Sequence, residues 1–404
     1  MFDTIVFLLA GGKGERLYPL TKDRAKPAVP FGGNYRIIDF PLSNCINSGL
    51  RRIFVLTQYK SISLDRHIRL GWSILSPELG EHVTILPAQQ RISDDWYRGT
   101  ADAVFQNIYT LERERSQYVL ILAGDHIYKM DYRPMMEFHA YRNADITVAV
   151  MDIPIFVASR FGVVEVDGEN RVVSFEEKPT APKPVPGRSD RCLISMGIYY
   201  LDTRTLVKEV IADAKIKEST HDFGRDILPR MVKEGKKVFA YPFQDWQKGE
   251  ERYWRDVGTI DAYFEANMDL VAVTPKLDLY DQNWPIRTYQ HPLPPAKTVF
   301  REPGRCGQIL DSLVGNGSII SGATVAHSII SPAVFIHSYA RIEDSIVMEG
   351  VEIGRNAKIK RTIIDKYVKI PEGFQIGYDL NEDRKRFTVT ESGIVVVPRS
   401  AVAI

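Results

Sequence analysis

Cysteine is scarce in this chain. Cys45, Cys192 and Cys306 lie far apart with no Cys-x-x-Cys pair, so neither a disulfide framework nor a structural zinc site is indicated, and a reducing, cytoplasmic setting is expected. An excess of one charge is lacking too. The 52 Lys and Arg against 51 Asp and Glu leave a formal net charge of +1, which gives no reason to expect nucleic acid or an anionic membrane as partner. No run approaches the roughly 20 apolar residues that span a bilayer. The apolar N-terminus has no basic leader or cleavage site and reads as a first strand, not a signal peptide. What is present is an ordinary globular composition, 44% hydrophobic and 25% charged, in 404 residues. That length allows two or three domains with a substantial core.

Short apolar runs (Ile53 to Thr57, Val83 to Leu86, Tyr118 to Leu122, Ile146 to Met151, Gly162 to Val166, Ile194 to Leu201) alternate with helix-like segments at 101–115, 132–142, 205–214 and 260–272. Such alternation predicts an α/β domain over residues 1–273, a mostly parallel sheet with ligands at the carboxyl ends of its strands. Pro275, Pro285, Pro292, Pro294, Pro295 and Pro303 crowd the next stretch. Proline removes ladder donors and stiffens the backbone without making a core, so 274–306 reads as a linker. From 307 to 404 the pattern changes again. Val325, Ile342, Ile359 and Ile376 are 17 apart, as are Ile330, Val347 and Ile364, and Ile336, Ile353 and Ile370. Three interleaved series of one period describe a coil with three inward aliphatics per turn, a hexapeptide parallel β-helix, and exclude the 3.6 or 2 period of an amphipathic helix or meander. Ser-Ile-Ile at 328, Ser-Ile-Val at 345 and Thr-Ile-Ile at 362 repeat in the same register.

The first apolar run, Ile5 to Leu9, opens into Ala10-Gly11-Gly12-Lys13-Gly14-Glu15-Arg16-Leu17. A strand ending in a glycine-dense turn lets backbone N–H groups approach a phosphate with no side chain between, and Lys13 and Arg16 add positive charge. Two better-known glycine loops fail on spacing. A dinucleotide fingerprint from Gly12 needs glycine where Leu17 stands, and a Walker loop needs Lys-Ser/Thr where Glu15-Arg16 follow Gly14. Tyr118 to Leu122 leads into Gly124-Asp125-His126, which puts the Asp125 carboxylate at the ligand edge of the sheet. A triphosphate-using enzyme holds Mg2+ there through one or two carboxylates.

The order Gly-Gly-x-Gly-x-Arg-Leu from Gly11, then Leu20-Thr21, then Lys26-Pro27 resembles the sugar-nucleotide pyrophosphorylase superfamily. The longer string Arg24 to Val29, with Arg36-Ile37-Ile38-Asp39-Phe40 and Leu42 to Gly49, is similar to one family within it, the ADP-glucose pyrophosphorylases, or glucose-1-phosphate adenylyltransferases. The likeness runs from the first strand to the end of the chain. It implies an α/β Rossmann-like nucleotidyltransferase domain followed by a left-handed parallel β-helix used for assembly, a homotetramer, Mg2+ as cofactor, and ATP and glucose 1-phosphate as substrates of the activated-glucose step of glycogen or starch synthesis.

Residue by residue, the resemblance implies that Arg16 and Lys26 face the triphosphate beside Gly11 and Gly12, and that Asp125 and Asp256 of Trp254-Arg255-Asp256 hold the metal. It gives Lys178 of Glu177-Lys178-Pro179 the phosphate of glucose 1-phosphate, with Glu177, Gly162 and Ser195 on the sugar and Tyr97 on the sugar nucleotide. Gln89 suits the adenine, because an amide offers a donor and an acceptor together. Gln58, Trp96 and Arg36 match residues linking regulatory and active sites, while His126 is left as a structural neighbour. Phosphorylated metabolites and AMP, ADP, phosphate or pyrophosphate are the expected kinds of effector. Asp23 stands where enteric-type members carry a lysine for the phosphate of fructose 1,6-bisphosphate, and Pro30 where they carry a histidine. An aspartate repels that phosphate, so strong activation through this position is not expected, and Lys22 is the candidate replacement. Two alternatives stand beside this reading: a pyrophosphorylase for UDP-glucose, dTDP-glucose or GDP-mannose, sharing the glycine loop and Gly-Asp, and a catalytically silent regulatory subunit. The latter should have lost a catalytic charge, yet Arg16, Lys26, Asp125, Lys178 and Asp256 are all present.

Overall fold

The computed structural model describes residues 3–88, 96–243 and 252–401. Its first part is built on a nine-stranded sheet: β1 Thr4–Leu9, β2 Arg52–Thr57, β3 His82–Pro87, β4 Tyr118–Ala123, β5 Ile146–Pro154, β6 Gly162–Val166, β7 Val172–Glu177, β8 Arg191–Asp202 and β9 Val238–Pro242. β3, β2, β1 and β4 lie side by side and parallel. β1 and β4 in particular read as unbroken apolar runs because helices cover both of their faces. β8 then runs antiparallel to β4, β5 and β6, β7 is antiparallel to β6, and β9 is parallel to β5. The order β3-β2-β1-β4 reverses at β1, and the crevice between β1 and β4 is where an open α/β sheet takes ligands.

The helix expected over 101–115 is two helices, Thr100–Phe105 and Ile108–Glu114. Asn107 breaks it: its Nδ2 donates to the Ala103 carbonyl at 2.8 Å, a side chain competing with the ladder for a backbone acceptor. Helix Asp39–Asn47, for which no expectation was drawn, receives the proline-rich segment. Ser43 Oγ accepts from the Arg287 N–H at 2.8 Å, Asn44 Oδ1 from Trp284 Nε1 at 2.9 Å, and Asn47 Nδ2 donates to the Pro285 carbonyl at 3.0 Å. The stiff segment is thus strapped along the domain before it enters the coil.

The coil consists of three ladders of short strands, parallel except where Thr388–Val389 closes one of them antiparallel to Val395–Val397. Val325, Ile342, Ile359 and Ile376 stand in one register, Ile330, Val347 and Ile364 in a second, Ile336, Ile353 and Ile370 in a third. All of them fill one core. The first rung, Lys297–Val299, pairs with Ile319–Ser321, so coil geometry begins inside the stretch that composition marks as linker. At one corner the hydroxyls form a ladder of their own. Ser345 N–H donates to Ser328 Oγ at 3.1 Å and Thr362 N–H to Ser345 Oγ at 3.2 Å, satisfying backbone groups that the turn leaves outside the sheet.

Ile329, Ile346 and Ile363 point outward and share a core with Leu17, Phe31 and Tyr263 of the first domain. Beside this seam Arg24 forks onto Asp365, Nη1 to Oδ1 at 2.8 Å and Nη2 to Oδ2 at 3.1 Å, with both side chains almost wholly buried. Among the described residues no helix is long and apolar enough to cross a membrane.

Candidate active site

β1 and β4 end level, Leu9 opposite Ala123, so the glycine loop and Gly124-Asp125 leave the sheet side by side. Gly14 must be glycine: its φ is +66°, and an added Cβ would sit 3.0 Å from side-chain atoms of both Lys26 and Thr21. Gly12 has open space around it, the room a phosphate cradle requires. Gln58 Nε2 donates to the Gly11 carbonyl at 3.1 Å, and Gln58 Oε1 accepts from the Tyr97 N–H at 2.8 Å. One amide therefore ties the glycine loop to the segment that carries Tyr97.

Lys26 lies on the short turn Lys26–Ala28, nearly buried, and its Nζ donates to Asp125 Oδ2 at 2.8 Å and Asp256 Oδ1 at 3.1 Å. Asp256 arrives on strand Trp254–Asp256, which pairs antiparallel with His126–Tyr128 and sets Asp256 opposite His126. Arg16 is close by: its Nη2 and Asp256 Oδ1 each lie 2.9 Å from where a Cβ on Gly258 would be, so that glycine makes room for both. Burial works to lower the Lys26 pKa, but Asp125 and Asp256 outweigh it and the ammonium is held above its ordinary value. Burial likewise works to raise the Asp125 pKa, and Lys26 with His126 overturns it, holding the carboxyl well below the usual carboxylate range. Asp125, His126 and Asp256 each offer a ligand atom, all within 4.8 Å of one another. His126 Nδ1 is buried and has no hydrogen-bond partner among the described residues. Two carboxylates that share one bridging ammonium still present hard oxygen donors, a set that fits a divalent cation.

Toward β6 and β7, Glu177 pairs with Gly162, and its Oε2 lies 2.8 Å from an added Cβ at Gly162 and again at Gly224. The carboxylate is slotted between two glycines. Lys178 Nζ sits 3.0 Å from Glu177 Oε1, half-exposed, on a backbone with φ +53°. Ser195 Oγ accepts from the Gly197 N–H at 3.2 Å where β8 shifts register. Tyr97 lines a cavity with Gly11, Gly12, Lys26 and Asp125, and its hydroxyl accepts from Asn107 Nδ2 at 3.0 Å. Trp96 is 64% exposed. Gln89 lies outside the described residues.

Asp222 and Thr100 line the same cavity as Tyr97 and were missed in the sequence. Thr100 Oγ1 donates to Asp222 Oδ2 at 2.9 Å across the 122 residues between them, and nothing local in His221-Asp222-Phe223 signals that pairing. Arg36 is elsewhere. Its Nη1 donates to the Ser63 carbonyl at 2.8 Å, and it lines a cleft between the first domain and the coil with Asp23, Arg66, Lys366 and Arg399. Pro30 lines the adjoining hollow, and Lys22 Nζ donates to Ser400 Oγ at 2.9 Å.

Residues 5–272 match the nucleotidyl transferase family model, and 294–397 the model for the GlmU-like C-terminal hexapeptide. The glucose-1-phosphate adenylyltransferase of Rhodopirellula baltica is 54% identical over 404 residues, covering 99% of this chain and 90% of that protein. The chain belongs to the glucose-1-phosphate adenylyltransferase family. Two further members show the same span: that of Methylococcus capsulatus is 52% identical over 98% of this chain and 93% of its own length, and glucose-1-phosphate adenylyltransferase 2 of Vibrio cholerae is 52% identical over 99% and 98%. As a member of this family the chain is a nucleotidyltransferase with a hexapeptide coil behind its transferase domain. Such transferases use a divalent metal, and Asp125, His126 and Asp256 are the cluster that the described residues offer for it.

Proposed function

We propose that this chain makes ADP-glucose and pyrophosphate from ATP and glucose 1-phosphate, with Mg2+ held by Asp125 and Asp256. The observation that carries the reading is the Lys26–Asp125–Asp256 cluster set beside an open glycine loop. In the reaction a phosphate oxygen of glucose 1-phosphate, already ionised and in need of no base, attacks the α-phosphorus of ATP in line. The bond from that phosphorus to the bridging oxygen breaks, and pyrophosphate leaves with the electron pair. The chain's share is positioning and charge neutralisation. Arg16 and Lys26 take the triphosphate above Gly11 and Gly12, Lys178 takes the sugar phosphate, and Glu177, Gly162 and Ser195 take the sugar. Tyr97 flanks the sugar nucleotide and Gln89 reads the base. Mg2+, when bound, stabilises charge on the transferring and leaving oxygens. Pyrophosphate release measured with ATP, UTP, dTTP and GTP against glucose 1-phosphate tests the reading. ATP is expected to lead by about tenfold or more in kcat/KM, and a lead for UTP or dTTP overturns it.

The cleft lined by Arg36, Arg66, Lys366 and Arg399 supports a site for phosphorylated effector anions, linked to the active site through Gln58 and Trp96, and the coil supports assembly as a homotetramer. Asp23 lines that cleft, and at about 4 Å one unit charge pair is worth roughly 4 kcal/mol at an effective dielectric of about 20. Fructose 1,6-bisphosphate is therefore expected to activate weakly. A large, saturable activation that Lys22→Ala leaves untouched removes this argument.

A further inference from the structure

The cluster that carries the proposed function has one feature that function does not need. The two carboxylates are already bridged, by an ammonium, on the oxygens that face each other: Asp125 Oδ2 at 2.8 Å and Asp256 Oδ1 at 3.1 Å from Lys26 Nζ. The remaining oxygens keep looser neighbours. Asp125 Oδ1 faces His126 Nε2 at 3.5 Å, and the Asp256 carboxylate lies with Arg16 in the room that Gly258 leaves. A divalent ion drawing on both carboxylates takes their oxygens at about 2.0–2.6 Å, inside the hydrogen-bond distance the ammonium now keeps. The two cations cannot share this position, and a dication repels the ammonium twice as strongly as a monovalent ion would.

The lysine is built to leave. Its backbone is fixed by the Lys26–Ala28 turn, by Pro27 within it, and by the Ile38 N–H that donates to the Pro27 carbonyl at 3.0 Å. Its Cβ is packed close to Gly14. Beyond the Cβ it is a compact charge on a flexible four-carbon stem. Lys26 also lines the cavity formed by Gly12, Lys13, Gly14 and Arg16, the phosphate cradle, so the position it can retreat to is the one a triphosphate fills.

We propose that Lys26 occupies the cation position between Asp125 and Asp256 until nucleotide arrives, so that the divalent cation enters only with a triphosphate whose oxygens receive the departing ammonium. This rests on the reading of Asp125 and Asp256 as the metal-holding pair. Metal and triphosphate then raise each other's affinity by one common factor, because each relieves what the other meets.

Mn2+ binding to the full-length chain, read from the free-ion signal in electron paramagnetic resonance, tests this without catalysis. In the absence of nucleotide, Lys26→Met is expected to bind Mn2+ about tenfold tighter than wild type or more, and Lys26→Arg, which keeps the charge, to stay as weak as wild type. Where Lys26→Met does not fold, Lys26→Gln takes its place. Adding a triphosphate with a methylene bridge between its α- and β-phosphates should tighten Mn2+ in wild type and much less in Lys26→Met. Equal Mn2+ affinity of wild type and the uncharged variant overturns the proposal, while a loss of binding in Asp125→Asn keeps the metal-site reading. Tight Mn2+ binding by Lys26→Met that Asp125→Asn leaves unchanged overturns both, because the metal then sits elsewhere.

Discussion

Arg24 and Lys26 stand two residues apart on one loop and meet carboxylates in opposite ways. Arg24 spends its planar fork on a single partner, Asp365 of the coil, and the exposed fractions of the two side chains are 5% and 4%. Lys26 divides one ammonium between Asp125 and Asp256, which remain 36% and 21% exposed. Matched in number and geometry and sealed from water, the first pair has nothing further to bind and acts as a joint between domains. The second shares one ammonium between two carboxylates and opens onto a cavity, so it can still take charge from outside. The same stretch of backbone thus clasps the coil with one side chain and bridges the two carboxylates at the cavity with the next but one.

The difference can be broken most directly at Asp125. Asp125→Asn removes a carboxylate from the cluster proposed to hold the metal and is expected to cost about 10³-fold in kcat with both substrates saturating. Near-normal turnover with unchanged Mg2+ dependence would show the open cluster to be as structural as the closed one. Arg24→Ala should act on stability instead, by about 3–5 kcal/mol, because it leaves the Asp365 carboxylate buried and unpaired. Replacing both residues by Met and Leu should recover most of that loss in urea unfolding, and failure of the double variant to recover would mean that Arg24 does more than clasp the coil.

The smallest expected effect sharpens the contrast through pH. Asp125 has its folded pKa depressed by Lys26 and His126, from an ordinary 3.8. Its contribution to stability is therefore complete above the unfolded value and is lost as pH falls through the folded one. Lys26 is raised from an ordinary 10.5, so its share is complete below that value and lost only as pH climbs past it. The gap in unfolding free energy between wild type and Asp125→Asn should thus stay level from about pH 5 to about pH 9 and shrink below about pH 4. A gap that closes between pH 7 and pH 5 would show that Lys26 does not hold the carboxylate ionised.

What was legible in the sequence followed from local pattern. A 17-residue period survives any loop geometry, so the registers of Val325, Ile330 and Ile336 emerged as spaced. The apolar run ending in Gly124-Asp125 likewise delivered its carboxylate to the crevice beside the glycine loop. Pairings across long separations were not legible. Arg24 and Asp365 are 341 residues apart, and each alone is an unremarkable surface-type charge. The docking face was half visible. In Ser-Ile-Ile, Ser-Ile-Val and Thr-Ile-Ile the coil interior takes one aliphatic, and the other, at 329, 346 and 363, had no inward position to fill. That spare aliphatic was the signal for a covered outer face.

The clasp also sets a length. Asp365 follows the rung Thr362–Ile364, which stacks back through Ile346–Val347 and Ile329–Ile330 to Leu313–Val314. Each rung is about 4.8 Å from the next. Stacked-repeat proteins ordinarily grow or shrink by whole repeats at little penalty, since a repeat touches only its neighbours. Here one coil more or fewer ahead of residue 365 would carry its carboxylate a full rung past Arg24 and slide Ile329, Ile346 and Ile363 off their seats. The solenoid is therefore a ruler, with its zero at the proline strap and its mark at Asp365. Ile394 and Val396, on the rung stacked beyond Thr362–Ile364, share the same seam, so whole-coil insertions should be costly on either side of that mark.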